Sequence, residues 1–167
     1  MKLPVTIRVF APCDPDALLD IEYTAWEEPK PVSDLKKTMA KVTTVTLVAV
    51  HGKTVVGFAV VSVSDSRIHV LDLAVHEEHR LCGVGTELVG YLKSQLVPGG
   101  TLKKIVLEVT ESNVAAQLFL RSTGLRCEKI LRGHFSDGED CYVFAAYRHG
   151  NAAEQKSLFG VDECVGK

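Results

Sequence analysis

Residues 80–86 read Arg80-Leu81-Cys82-Gly83-Val84-Gly85-Thr86, between an apolar β-like run and an amphipathic helical one. The pattern is [Q/R]-x-x-G-x-[G/A]. Its two glycines let the backbone turn tightly and approach a ligand closely. The following helix points its unpaired N–H groups and positive dipole end at the same spot. Strand, glycine loop and helix in that order constrain the chain to an α/β arrangement with an anion cradle. A diphosphate group fits such a cradle.

The rest of the chain supplies the expected framework. At 167 residues it is long enough for one domain with a substantial core. Residues 5–10 read as a strand and 14–26 as a helix, with Asp14 or Asp16 as its cap. Pro29 and Pro31 break that helix, and a short one follows over 33–41. Residues 42–50 and 54–63 are β-branched runs around the turn His51-Gly52-Lys53, hence a hairpin. A strand over 67–75 precedes the glycine loop. Val84, Leu88, Val89, Leu92 and Leu96 recur at helical spacing. Residues 103–110 read as a strand and 113–123 as a helix, with Gly124 as C-cap. Residues 125–131 and 141–147 read as two closing strands. The order β-α-α-β-β-β-α-β-α-β-β predicts a mixed sheet in one domain, residues 1–149. Residues 150–167 are expected as a polar tail, with one helical turn at most around Glu154 to Phe159.

Composition narrows the function. The net charge of −2 gives no nucleic-acid footprint. No apolar run reaches the roughly 20 residues of a membrane span, and the first residues show no signal-peptide core. Five cysteines, at 13, 82, 127, 141 and 164, are an odd set without a C-x-x-C pair. That favours reduced thiols in the cytoplasm over disulfides or a zinc site, so no metal is expected. The sequence carries no signal of oligomeric state.

Three stretches resemble the GCN5-related N-acetyltransferase (GNAT) superfamily. They are residues 71–85, Leu71-Asp72-Leu73-Ala74-Val75 through Gly85; Val106-Leu107-Glu108-Val109 followed by Ser112-Asn113-Val114-Ala115-Ala116; and Ser122-Thr123-Gly124-Leu125. The acidic turn Asp137-Gly138-Glu139-Asp140 is similar to that of the ribosomal-protein-alanine N-acetyltransferase subgroup. The likeness spans about residues 5–148. It implies a sheet of about seven strands with about four helices, the fourth and fifth strands splaying into a wedge. It implies acetyl-CoA as donor and direct attack of an amine on the thioester, without metal. Backbone groups of Leu73, Ala74 and Val75 would then pair with the pantetheine arm, and the Val75 N–H would face the thioester oxygen. Arg80, Leu81, Cys82, Gly83, Val84, Gly85 and Thr86 would wrap the diphosphate. Asn113 and Ala116 would meet the pantetheine, although Asn113 also reads as a helix N-cap.

The amine must lose a proton before it attacks. Glu108 is the first candidate base. In its strand it shares a face with Val106 and Thr110, opposite Ile105, Leu107 and Val109, and desolvation among aliphatic neighbours is expected. His69 is the second, read as alternating with Leu71, Leu73 and Val75 beside the wedge. A His69–Glu108 pair would hold a water and relay the proton. The family's tyrosine acid, seven residues after the motif asparagine, is replaced by Leu120, with Phe119 beside it. Neither donates a proton. Either the thiolate leaves without a positioned acid or another group serves; spacing supports neither Tyr142 nor Tyr91.

The acceptor site is expected between residues 26–31 and 134–140. Acids on both lips would attract a cationic amine. The resemblance implies the N-terminal α-amine of a protein or peptide. Two alternatives stand beside it. One is a small-molecule amine or a lysine side chain as acceptor. The other is a non-catalytic module that binds acyl-CoA.

Overall fold

The computed structural model describes residues 2–11, 14–25, 31–41, 43–64 and 66–148. The expected tail at 150–167 lies outside them, as do residues 26–30 of the first acceptor lip. The elements are β1 Thr6–Val9, α1 Pro15–Ala25, α2 Val32–Met39, β2 Thr44–His51, β3 Thr54–Ser64, β4 Arg67–Val75, α3 Val84–Ser94, β5 Lys104–Thr110, α4 Val114–Ser122, β6 Arg126–Leu131 and β7 Cys141–Tyr147. Element types and order agree with the sequence pattern. A short 3-10 turn at Glu77–His79, too brief to leave a periodic signal, precedes the glycine loop.

The seven strands form one sheet in the order β1-β2-β3-β4-β5-β7-β6. All neighbours are antiparallel except β4 and β5. Helices cover both faces. On one, α3 and α4 bury Val84, Leu88, Leu92 and Leu120 against Ala59, Ile68, Leu107 and Phe144. On the other, Leu18 and Ile21 of α1 and Leu35 of α2 pack on Val48, Phe58, Val60 and Ala74. This second layer reaches only as far as β4 among the described residues. The central strand β3 is accordingly buried without interruption from Val55 to Val61, the pattern of a strand covered on both faces.

Two irregularities in β4 position the site. The parallel ladder with β5 runs from Arg67↔Lys104 to Val70↔Leu107 and stops there. Beyond it the strands part, as the resemblance implies. At the same level the register with β3 slips. Val61 faces Val70 and Val60 faces Asp72, leaving Leu71 as the extra residue of a β-bulge. The bulge exchanges faces. Ile68 and Val70 point into the α3/α4 core, and past Leu71 it is Leu73 and Val75 that do so. His69 therefore lies on the opposite face from Leu73 and Val75. The expected continuous alternation of these residues is corrected: one inserted residue breaks a period of two.

Gly57 of β3 lies against both β4 and α3. A Cβ there would stand 3.0 Å from the Ala74 carbonyl oxygen and 3.1 Å from Val84 Cγ1. Gly57→Val is expected to cost about 1–3 kcal/mol by overpacking. Urea unfolding reads it, and an unchanged midpoint would contradict this close approach.

Candidate active site

The loop between β4 and α3 adopts the conformation that its glycines allow. Gly83 is the N-cap of α3 in the left-handed region, φ +85°, and Leu81 also has positive φ, 58°. The Leu3 N–H donates to the Cys82 carbonyl at 2.8 Å. Lys2 reaches Glu87 at 2.6 Å across the start of α3. A Cβ on Gly85 would stand 3.0 Å from Phe119 Cζ, so that glycine lets α3 and α4 close together. The loop borders a groove of about 470 Å³, which Leu73, Ala74, Val75, Arg80, Leu81, Gly83, Val84, Gly85, Thr86, Ala116 and Phe119 help line. Cys82, half-buried, is not among its lining residues.

The Arg80 guanidinium is held by backbone carbonyls at the edge of this groove. Its Nη2 donates to the carbonyls of Thr24 and Ala25 at 3.0 and 2.9 Å, and Nε to that of Val75 at 3.3 Å. It caps the C-terminus of α1, where unpaired carbonyls and the negative dipole end favour a cation. The Arg80 side chain thereby joins α1 to the end of β4.

A second cavity of about 350 Å³ fills the parting between β4 and β5. Leu71, Leu73, Leu107, Val109, Asn113, Ala116 and Leu120 line it, with Glu108 and Phe135. It shares Leu73, Ala116 and Phe119 with the first, so the two meet. Asn113 Oδ1 accepts the Ala116 N–H at 3.0 Å as the N-cap of α4. That leaves its NH₂ group as the polar function available toward a ligand. Leu120 is 2% exposed and part of the core. Tyr142 packs on the α3/α4 side of β7, and Tyr91 is exposed on α3. Neither borders the described cavities.

Glu108 points to the other face of β5, as the alternation predicts. It stands between two imidazoles. His69 Nε2 is 3.7 Å from Oε1, and His134 Nε2 is 3.7 Å from Oε2. The Glu108 side chain is 34% exposed, so the aliphatic desolvation expected for it is replaced by a half-open setting among polar groups. His134 was legible only as a loop residue. Its approach to Glu108 depends on the fold of the β6–β7 connection, which no spacing encodes. Cys141 Sγ lies in the same cluster, within 4.8 Å of the Glu108 and His134 ligand atoms. Burial, and then the Glu108 carboxylate, push this thiol up.

The acids of that connection build the turn itself. Asp140 accepts from Gly133 N–H at 2.9 Å and pairs with Arg132; these partners hold its carboxyl below the usual range. Glu139 accepts the Ser112 hydroxyl at 3.0 Å, and Asp137 the Glu139 N–H at 3.0 Å. The expected attraction of a cationic amine by this lip is correspondingly reduced. His134 and Phe135 meet edge to face, ring centroids 5.4 Å apart.

A family model described as the acetyltransferase (GNAT) family matches residues 15–125. The chain belongs to this family, and it is an acetyltransferase. It is 35% identical over 137 residues to an uncharacterized N-acetyltransferase of Methanocaldococcus jannaschii, spanning 82% of this chain and 88% of that one. It is also 35% identical over 78 residues to an N-alpha-acetyltransferase of Sulfurisphaera tokodaii, 47% of each protein. The ribosomal-protein-S18-alanine N-acetyltransferase of Escherichia coli has the same fold, with TM-score 0.75 at 23% identity over 89% of this chain and 96% of that one.

Arg80→Ala should remove the cap on α1 and lower stability by about 1 kcal/mol. Denaturant titration checks it; a variant as stable as the parent would show that these contacts contribute nothing.

Proposed function

We propose that this acetyltransferase moves the acetyl group of acetyl-CoA to the N-terminal α-amine of a protein or peptide, with Glu108 as the base. One observation carries the reading. Glu108 stands between His69 and His134 at the far side of a gap whose near side opens onto the glycine loop.

The diphosphate lies on the backbone N–H groups of residues 81–86, at the positive end of α3. The pantetheine enters the parting, where the β5-facing edge of Leu73, Ala74 and Val75 has no strand beside it. The Asn113 NH₂ and the wall at Ala116 guide it. The acetyl carbonyl meets the Val75 N–H. Such a donor is worth about 3–4 kcal/mol as charge develops on the oxygen. On the opposite face, Glu108 takes a proton from the ammonium group, directly or through water. His69 Nε2 stands 3.7 Å from Glu108 Oε1, just beyond hydrogen-bond reach, so a small side-chain shift brings the imidazole to the carboxylate. The neutral amine attacks the thioester carbon, a C–N bond forms, and the C–S bond breaks. The amine's second proton leaves to solvent. With Leu120 in the usual acid position, the CoA thiolate departs unassisted. Thiols have pKa values near 8.5, so this is tolerable near neutral pH.

The α-amine is supported by the N-alpha-acetyltransferase relative, and Phe135 borders the gap where such an acceptor would enter. Cytoplasmic placement belongs to the same reading.

Glu108→Gln is expected to lower kcat about 100-fold while acetyl-CoA affinity, read by calorimetry, stays within about twofold. Retained turnover would remove Glu108 as base. An acceptor screen following free-thiol release should respond to peptides with free α-amines and not to the same peptides blocked. Release with polyamines or lysine side chains alone would overturn the α-amine assignment.

A further inference from the structure

We propose that Glu108, His134 and Cys141 form a binding site for a divalent cation of the zinc class, and that its occupancy switches acetyl transfer off. The second half of this rests on Glu108 being the base; the first half does not.

The three side chains bring a carboxylate oxygen, an imidazole nitrogen and a sulfur within 4.8 Å of one another. His134 Nε2 and Glu108 Oε2 stand 3.7 Å apart. A tetrahedral zinc ion with bonds of about 2.0–2.3 Å holds its ligand atoms about 3.5 Å apart. Closure therefore needs shifts of about an ångström or less. The donor set suits zinc: a thiolate and an imidazole are its usual ligands, with a carboxylate as third. Magnesium or calcium would want oxygens throughout.

The ligands come from a stiff frame. Glu108 faces Val143 and Thr110 faces Cys141 in the β5–β7 ladder, so Glu108 and Cys141 are diagonal neighbours on one face. His134 is held at its backbone. Gly133 N–H donates to Asp140, and Phe135 N–H to the Glu139 carbonyl at 3.2 Å. The Asp140 carboxylate and the Glu139 main-chain carbonyl thus fix the backbone on either side of this histidine. Three protein ligands leave a fourth position, which water takes. On coordination the Cys141 S–H proton passes to solvent and a metal–sulfur bond forms. No electron is transferred. Glu108, its oxygen bound to the cation, no longer accepts a proton from an amine. The ion is an inhibitor here, not a participant in acetyl transfer.

The test uses the full chain, freed of metal by chelator and dialysis, and titrated with Co²⁺. One equivalent should bind with thiolate-to-cobalt charge-transfer absorption that Zn²⁺ displaces. Cys141→Ser should lose that absorption, which separates this site from the thiols of Cys13, Cys82, Cys127 and Cys164. His134→Ala changes an exposed loop residue and should weaken Co²⁺ binding at least tenfold while acetyl-CoA affinity holds. Zn²⁺ should suppress turnover of the parent chain and spare His134→Ala, each measured against its own metal-free rate. No charge-transfer absorption, or absorption that survives both substitutions, overturns the site even if Glu108→Gln still cripples turnover. Binding at the site with turnover undiminished overturns the switch, and Glu108 as base with it.

Discussion

The separation of two parallel strands governs this molecule. Four residue pairs join β4 to β5, and then the ladder ends at Val70↔Leu107. Backbone groups along an open strand edge require partners, because leaving them dry and unpaired costs about as much as a lost hydrogen bond. Solvent or a ligand's amide groups must fill that role in the parting. Flanking packing holds the strands at this spacing. Leu120 and Phe119 of α4 wall the gap on one side, and Phe135 borders it as well. The β3–β4 ladder continues to Gly57↔Val75 and keeps the freed part of β4 in the sheet.

The Leu71 bulge turns that separation into a two-sided site. Below it, His69 faces the same side as Glu108. Above it, Leu73 and Val75 turn toward α3 and α4. A regular strand would have placed His69 and Val75 on one side. The groups read as donor-binding and those read as proton-accepting thus meet the gap from opposite faces of the sheet. Helices α1 and α2 stop at β4 among the described residues, so the Glu108 face of β5 and β7 is open to an acceptor.

Much of the fold was legible because hydrophobic period and turn residues agree along the chain. The glycine loop stood out for the same reason: Gly83 takes a φ that other residues avoid. Three features escaped. The bulge at Leu71 is marked only by a slip of phase, the adjacent apolar pair Val70-Leu71 between His69 and Asp72. Arg80 fits an anion-loop motif, yet its guanidinium goes to carbonyls 55 and 56 residues away. His134 and Cys141 reach Glu108 only through β5–β7 pairing and a loop fixed by Asp140 and Arg132. Glu108, His134 and Cys141 come from separate elements, and sequence spacing tests only residues near one another in the chain.

The Arg80 contact has a mechanical meaning. It fastens the end of α1 to the carbonyl of Val75 at the end of β4. Displacement of either end is therefore felt at the other through a single side chain. Whatever coupling free energy this link transmits must be symmetric: if bound donor alters acceptor affinity by some factor, bound acceptor alters donor affinity by the same one. One side chain thus ties the end of a helix to the end of the strand that flanks the parting.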